Sequence, residues 1–262
     1  MPLKTRISGL ILDMDGVLWR GHEPFPGLAG LFQRLQDLQI HYAFATNNSS
    51  THPDKVRERL KSIGIVAPPG SVITSSVVLA ELLIRKFPKG GPVYIIGEAG
   101  LEEILNEKGF HHSNQNAIAV IVGLDRSLTY QKLSDATLLI RAGVPFYGTN
   151  PDKTYPTPHG LTPGAGSILA AIQAATGFSP ILAGKPHPEI IRVCLAHLQT
   201  NPCETLVVGD RLDTDILSGI NAGCPTGLVM TGVTTRSELE ISPIKPDLTA
   251  EDIHSLIEMV IG

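Results

Sequence analysis

The sequence is poor in cysteine and has no long apolar run. Its three cysteines, Cys194, Cys203 and Cys224, form no CxxC pair, and their odd number argues against a disulfide framework. No apolar stretch is long enough to span a bilayer, and the one behind Lys4 and Arg6 is too short for a signal peptide. We therefore expect reduced thiols and a cytoplasmic protein.

An excess of positive charge is also missing. The chain carries 21 Lys and Arg against 25 Asp and Glu, a formal net charge of −4. Such a balance gives no general attraction to nucleic acid or to anionic membranes, so we expect neither as a partner. The 262 residues, 42% hydrophobic and 18% charged, are typical of a soluble globular protein with one large domain or two smaller ones.

What the sequence does contain is a short apolar run that ends in two carboxylates. Residues 10–12 (LIL) are apolar on both faces, which is typical of a buried parallel strand, and Asp13 and Asp15 follow directly. Ligands bind at the carboxyl ends of the strands in open α/β sheets, so the two carboxylates are candidates for a site. The alternative is that both aspartates only form a turn.

Strands and helices alternate along the rest of the chain, which predicts an α/β fold with a mostly parallel sheet. Pro/Gly-rich stretches at 88–92 and near Pro180 mark two linkers. We therefore predict a core formed by residues 1–87 and 181–262, with an inserted α/β domain at 88–180. The tract at 149–166 is rich in Pro and Gly and is predicted to include a long loop.

Polar residues follow four of the predicted strands. If these strands are parallel neighbours, all four polar clusters point into one crevice. Four such clusters are difficult to explain as turn chemistry alone. They are Asp13 with Asp15, Thr46 with Asn47 and Asn48, Lys185, and Asp210 with Asp213 and Asp215.

A crevice with this composition favours phosphoryl transfer. Carboxylates packed together repel one another unless a cation lies among them, and oxygen ligands without histidine or cysteine suit Mg²⁺. Lysine, hydroxyl and amide groups can bind a phosphate. A carboxylate can act as the nucleophile and form an acyl phosphate, while a second one transfers protons.

The same residues resemble the four motifs of the haloacid dehalogenase-like (HAD) phosphatases, namely DMDGV at 13–17, TNN at 46–48, Lys185 and GDRLDTD at 209–215. A closer similarity is to the NagD-like, 4-nitrophenylphosphatase-type subfamily (subclass IIA), and it covers nearly the whole chain. The stretches that carry it are DGVLW at 15–19, TNNSS at 46–50, TNPD at 149–152, PGAGS at 163–167 and GDRLDTDI at 209–216.

This resemblance implies a Rossmann-like core with a cap domain inserted between the second and third motifs. It also implies a phosphatase that passes through an aspartyl phosphate. Asp13 would be the nucleophile and Asp15 the general acid and base. Mg²⁺ would be held by the Asp13 carboxylate, the Asp15 backbone carbonyl and Asp210, with Asp215 in support. Thr46, Asn47, Asn48 and Lys185 would bind the phosphoryl group.

Other functions stay open at this point. A phosphomutase or phosphotransferase would use the same aspartyl phosphate, and a phospholigand-binding protein without turnover would keep the same pocket. Sugar phosphates, glycolate-type phosphates, nucleotides and pyridoxal phosphate are all open as the small phosphorylated substrate. A homodimer formed through the inserted domain is one alternative for the oligomeric state.

Several residues outside the motifs have two readings. Tyr155 and His159, in the segment 152–160, are predicted to contact the substrate, although a solvated surface loop is the alternative. Asp213 could act directly or only favour the start of a helix. Trp19 could line the crevice or pack in the core, and His187, between two prolines, is more typical of a loop.

Overall fold

A computed structural model describes residues 5–157 and 160–261. Within them the chain divides into two compact units. The first contains residues 5–46, 54–73 and 185–261, and the second contains 47–53, 74–157 and 160–184. The domain limits predicted from the linkers, 88 and 180, fall inside the second unit and stay a prediction.

The described elements alternate between strand and helix along most of the chain. The strands are β1 (Gly9–Leu12), β2 (Trp19–Arg20), β3 (Glu23–Pro24), β4 (His41–Thr46), β5 (Val72–Thr74), β6 (Gly91–Ile96), β7 (Phe110–His112), β8 (Val120–Val122), β9 (Phe146–Gly148), β10 (Thr154–Thr157), β11 (Gly160–Pro163), β12 (Ile181–Leu182), β13 (Thr205–Gly209), β14 (Thr226–Val229) and β15 (Leu248–Ala250). The helices are α1 (Leu28–Asp37), α2 (Pro53–Ser62), α3 (Ser75–Lys86), α4 (Ala99–Glu107), α5 (Tyr130–Arg141), α6 (Ala165–Thr176), α7 (Glu189–Leu198), α8 (Leu217–Ala222), α9 (Arg236–Ile241) and α10 (Ile253–Ile261).

A sheet with strand order β15-β14-β13-β1-β4-β5 forms the centre of the first unit. β1 lies between β4 and β13 and pairs with both in parallel. All four residues of β1 are buried, because helices must cover both faces of a parallel sheet. One of these helices, α1, turns Leu28, Leu31, Phe32 and Leu35 into the core, the spacing of one helical face.

The second unit has its own sheet, with strand order β12-β9-β8-β6-β7. Its described strand pairs are all parallel. The core contains Tyr94, Ile96, Val120, Val122 and Ile172, among others. Two parallel, helix-flanked sheets, one of them carried by an insertion, confirm the predicted α/β class with a Rossmann-like core.

The predicted loop at 149–166 is different in the structure. It contains an antiparallel hairpin, β10 paired with β11, in which Tyr155 lies opposite Thr162. This hairpin was not predicted from the sequence, because its strands are short and hold Pro156 and Pro163, which are unfavourable in strands. No helix in the described part of the chain has both the length and the apolar character needed to cross a bilayer.

Candidate active site

Three neighbouring strands of the first unit end at one edge of the sheet and place polar residues there. Asp13 follows β1 directly, and its backbone N–H donates to the carbonyl of Val208 in β13 at 2.8 Å. Thr46 is the buried last residue of β4, and Asp210 follows the last residue of β13. Parallel pairing of β1 with both neighbours brings these three strand ends together.

Lys185 joins two of the carboxylates. Its Nζ lies 2.6 Å from Oδ1 of Asp13 and 2.6 Å from Oδ1 of Asp215, and it also donates to the carbonyl of Ala45 at 2.9 Å. Lys185 is only 3% exposed. A buried ammonium is stable only when it is paired and hydrogen-bonded, and these three acceptors supply both conditions.

A π-helical turn, Leu212–Ile216, brings Asp215 back toward the end of β13. The Oδ2 atom of Asp215 accepts hydrogen bonds from the backbone N–H groups of Asp210 and Arg211, at 3.2 and 3.0 Å. Protein donors therefore engage both oxygens of Asp215, one through Lys185 and one through the backbone. This arrangement suits a carboxylate that holds other groups in place.

Asp210 lies in a narrow space between two loops. Its Oδ2 accepts a hydrogen bond from the backbone N–H of Val233 at 2.7 Å. Gly16 has φ +83°, and a Cβ built on it would lie 2.6 Å from the same Oδ2 atom. A Cβ on Gly232 would also overlap the Asp210 side chain. Both positions therefore need glycine if Asp210 is to keep its orientation.

The electrostatics of this cluster favour binding of a cation. Burial raises the pKa of Asp13 well above its usual range, against the charge of Lys185, and the charges of Asp215 and Asp210 raise it further. Burial and the nearby Asp215 also raise the pKa of Asp210 to about 7. Burial opposes the charge of Lys185, but Asp13 and Asp215 outweigh it and raise the pKa of Lys185. One lysine thus faces three carboxylates, which leaves negative charge uncompensated.

The geometry of the carboxylates fits a metal ion. One oxygen each from Asp13, Asp210 and Asp215 lie within 4.8 Å of one another. The hydrogen bonds given above engage one oxygen of Asp13 and one of Asp210, so each has a second oxygen for a cation. Carboxylate oxygens without imidazole or thiolate are the ligands of hard divalent cations.

Asp15 lies in a different environment from Asp13. Its side chain is exposed, and its Oδ1 accepts a hydrogen bond from the indole Nε1 of Trp19 at 2.8 Å. The guanidinium carbon of Arg59 lies 3.9 Å from the centre of the Trp19 ring. Desolvation by neighbouring atoms raises the pKa of Asp15, while the Trp19 hydrogen bond and the charges of Arg59 and Lys185 act in the opposite direction.

Arg59 was not predicted from the sequence. The residue is in the middle of α2, where an arginine is ordinary on a solvated face, and no motif includes it. The stacking on Trp19 arises only from tertiary packing. Trp19 itself is buried and hydrogen-bonded to Asp15, so it both packs in the core and contacts a candidate catalytic residue.

Asn47 and Asn48 belong to the second unit. The amide nitrogen of Asn47 donates to both carboxylate oxygens of Asp152, at 3.2 and 3.1 Å, and its backbone carbonyl accepts from Ser75 and Asn150. Asn48 is exposed, and its Oδ1 accepts from the backbone and hydroxyl groups of Ser50. These contacts fix the chain just after β4. The phosphate-binding roles of Asn47 and Asn48 stay predictions.

Tyr155 is partly buried in the β10–β11 hairpin of the second unit. Its hydroxyl accepts a hydrogen bond from Nε of Arg126 at 2.9 Å, and that guanidinium also pairs with both oxygens of Glu98, at 2.9 and 2.7 Å. Arg126 and Glu98 were not predicted from the sequence, since neither belongs to one of the motifs. His159, the other predicted substrate contact, lies outside the described residues.

The remaining ambiguous residues lie on the surface. The side chain of Asp213 is 69% exposed and pairs with Arg211 at 3.3 Å, which fits the reading of an acid early in a helical turn. His187 is exposed as well. Among the described residues, the group of side chains that could hold a metal ion consists of Asp13, Asp210 and Asp215, and it includes neither Asp213 nor His187.

Comparison with known families gives two matches along the chain. Residues 10–111 match the model of a haloacid dehalogenase-like hydrolase, and residues 182–256 match a second, HAD-hydrolase-like model. The first match contains Asp13, Asp15 and Thr46, and the second contains Lys185, Asp210 and Asp215. The matched segments therefore hold all of the polar strand ends described above.

Whole-chain relatives agree with these matches. An acid sugar phosphatase of Staphylococcus saprophyticus is 37% identical, over 95% of this chain and 96% of its own. The 5′-nucleotidase YutF of Bacillus subtilis is 39% identical, over 97% of both chains. The crystal structure of a 4-nitrophenylphosphatase from Thermotoga maritima superimposes with a TM-score of 0.92 at 34% identity, covering 97% of both chains. The chain therefore belongs to the haloacid dehalogenase-like family, as a phosphatase of the NagD-like, 4-nitrophenylphosphatase type.

Proposed function

We propose that the protein is a Mg²⁺-dependent phosphatase of small phosphomonoesters, and that Asp13 is transiently phosphorylated during turnover. The observation that carries this proposal is the buried group of Asp13, Lys185, Asp210 and Asp215 at the sheet edge. It combines a nucleophile, a fixed cation and two further acids within hydrogen-bond or metal-ligand distances. Phosphoryl transfer needs few other parts, since positioning and charge supply most of the catalysis.

The donor set supports magnesium as the bound ion. The Asp13 and Asp210 carboxylates, with the Asp15 backbone carbonyl, would hold it, and Asp215 would orient its neighbours through the contacts described above. Bound there, Mg²⁺ supplies charge stabilisation to the oxygens of the transferring phosphoryl group. Burial, together with the neighbouring carboxylates, raises the pKa of Asp13 and of Asp210, and a cation bound beside them would favour their ionised forms.

The chain's own groups account for the transfer. A carboxylate oxygen of Asp13 attacks phosphorus, and the bond from phosphorus to the substrate oxygen breaks. Asp15 gives its proton to that leaving oxygen, so an alcohol departs. Asp15 then takes a proton from water, whose oxygen attacks the same phosphorus and releases phosphate and Asp13. Lys185, which pairs with Asp13, and Thr46, the buried last residue of β4, would bind the phosphoryl oxygens.

The first test is hydrolysis itself. Purified protein with Mg²⁺ should release phosphate and alcohol in equal amounts from 4-nitrophenyl phosphate and from members of a phosphometabolite panel. The panel should contain sugar phosphates and nucleoside monophosphates, because relatives of this chain are named for acting on both classes. Transfer of the phosphoryl group to a second metabolite, without free phosphate, would instead indicate a phosphotransferase.

Replacement of the metal should abolish most activity. We expect chelation with EDTA to stop turnover, Mg²⁺ to restore it, and Ca²⁺ to bind while restoring little. Ca²⁺ accepts more ligands and looser geometry, so the nucleophile and phosphorus lose their in-line arrangement. Thermal unfolding in each ion measures binding separately from rate, because an ion that binds only the folded protein raises Tm. Equal rates with both ions would contradict the proposed site.

Substrate selection is proposed to come from the second unit. The carboxylate cluster accounts for the phosphoryl group but provides little to recognise the rest of a substrate. Tyr155 in the β10–β11 hairpin supplies an aromatic ring, which Arg126 and Glu98 hold in place through the contacts given above. A side chain that is already ordered loses less entropy when it contacts a ligand. His159 is proposed as the second contact on sequence grounds.

A Tyr155→Ala substitution should therefore change kcat/KM unevenly across the panel. Loss of a substrate contact typically costs roughly 1–3 kcal/mol of discrimination, which is visible as a change in the ranking of substrates. A small aryl phosphate should change least. Tyr130→Ala is a matched control, because Tyr130 lies in the same unit and is 86% exposed. An unchanged ranking in Tyr155→Ala would place specificity in other residues.

A further inference from the structure

The side chain of Asp15 is held at one of its two oxygens. The indole N–H of Trp19 donates to Oδ1 at 2.8 Å, and within residues 5–157 and 160–261 no hydrogen bond reaches Oδ2. A tight turn creates this contact, since Leu18 N–H donates to the Met14 carbonyl and Gly16 N–H donates to the Trp19 carbonyl, both at 2.8 Å. The turn thereby brings the indole of Trp19 back to Asp15.

The indole of Trp19 is also contacted on the face of its ring, by Arg59. The guanidinium carbon of Arg59 lies 3.9 Å from the ring centre, within the range of a cation–π contact. Nη2 of the same guanidinium donates to the carbonyl of Gly21 at 2.6 Å, at the turn between β2 and β3. Trp19 is 2% exposed, so its ring has little freedom to rotate. Arg59 therefore contacts both the Trp19 ring and the β2–β3 hairpin that contains Trp19.

The chemistry of indole makes this contact selective. Indole N–H is a donor only, and it cannot accept a hydrogen bond from a protonated carboxyl group. The carbonyl oxygen of a neutral carboxyl group is its stronger acceptor, so donation by Trp19 to Oδ1 favours the proton of a neutral Asp15 on Oδ2. A donor of this kind therefore favours one oxygen for the proton and also orients the carboxyl group.

We infer that Trp19, held by Arg59, is a positioning residue that presents the proton of Asp15 on Oδ2 toward the leaving group. This inference rests on the proposed function of Asp15 as general acid. The alternative is that Asp15 only satisfies a buried indole N–H, which usually finds a partner in any protein. The two readings differ in how the reaction should respond to the leaving group.

Trp19→Phe keeps an aromatic ring for Arg59 and removes the donor together with part of the ring, so it is the variant to test. Rates of enzyme phosphorylation should be measured in single turnovers, with ethyl phosphate and with 4-nitrophenyl phosphate. An ethoxide needs a proton to leave, whereas nitrophenolate departs readily without one. We expect the ethyl phosphate rate to fall about tenfold or more and the aryl rate to fall less than about twofold. KM should stay close to that of the wild type for both esters.

Asp15→Asn should show the same leaving-group dependence with a larger loss, since it removes the acid itself. Equal losses for both esters in Trp19→Phe, or a change confined to KM or stability, would overturn the inference. If the wild-type protein hydrolysed neither ester, the proposed function would fail, and the inference with it. If the wild-type protein hydrolyses both esters, the proposed function stands, and the Trp19→Phe result then tests the inference alone.

A second measurement does not depend on whether Trp19→Phe folds. Trp19 is the single tryptophan of the chain, so its indole N–H gives one assignable resonance in a ¹H–¹⁵N spectrum. Asp15→Asn should move this resonance clearly, because the carboxyl acceptor is replaced by an amide. Asp54→Asn is the control, since Asp54 pairs with Arg57 on the helix of Arg59 and should leave the resonance in place. An unmoved resonance in Asp15→Asn would show that the contact is absent.

Discussion

Asp13→Asn should abolish turnover while the protein stays folded. An amide is a poor nucleophile and a weaker ligand for a divalent cation, so we expect kcat to fall more than about 10³-fold. Stability should not fall with it. Burial and two neighbouring carboxylates raise the pKa of Asp13, and a raised folded-state pKa makes an ionised acid costly to the fold as pH rises. A neutral side chain removes that cost, and Lys185 keeps Asp215 and the Ala45 carbonyl as partners.

Assays of phosphate release and urea unfolding near neutral pH check both parts of this prediction. Asp213→Asn is the matched control, because it makes the same chemical change in an exposed carboxylate that pairs only weakly with Arg211. The control should retain most of its activity. Appreciable turnover by a well-folded Asp13→Asn protein would refute Asp13 as the nucleophile.

Lys185→Met should lose both activity and stability. The substitution keeps much of the side-chain volume but leaves Asp13 and Asp215 buried without their shared cation. Breaking a buried pair in this way typically costs about 3–5 kcal/mol, because an uncompensated charge remains. Loss of a positive group beside the transferring phosphoryl group should lower kcat by roughly 10²–10³-fold in addition.

The pH dependence distinguishes this mechanism from lost packing. Lys185 lowers the pKa of Asp13, so its removal raises that pKa further, and stability should then be lost as pH rises through the folded value. The variant should consequently be less impaired at about pH 5.5 than at about pH 8. Lys108→Met, which breaks the exposed pair with Glu81, should cost less than about 1 kcal/mol at either pH. A loss in Lys185→Met that is independent of pH would point to packing alone.

Much of the candidate site could be predicted because it depends on local sequence rules. A short apolar run followed by acidic residues marks the end of a buried parallel strand, and the ends of parallel neighbours meet. These rules predict that Asp13, Lys185, Asp210 and Asp215 lie in one crevice, and the structure brings the four side chains together. The α/β class followed from the same alternation of strand and helix, and it is confirmed.

The parts that sequence analysis missed depend on tertiary contacts. Nothing local in α2 distinguishes Arg59, whose position over Trp19 exists only once helix and hairpin have packed. The β10–β11 hairpin has prolines where alternating apolar residues would signal strands, so composition favoured a loop. Asp215 reaches the backbone of Asp210 through a π-helical turn, which its sequence does not distinguish from an ordinary first helical turn.

The central place of β1 in its sheet has a consequence for synthesis of the chain. One neighbour, β4, leaves the ribosome soon after β1, but the other, β13, begins only at Thr205. A translating ribosome at 5–20 residues per second needs roughly 10–40 s to make the intervening segment. During that time one edge of an entirely apolar strand, Gly9–Leu12, has no partner from its own sheet. Unpaired apolar edges promote aggregation, so the yield of this protein in cells should depend on chaperones that cover nascent chains.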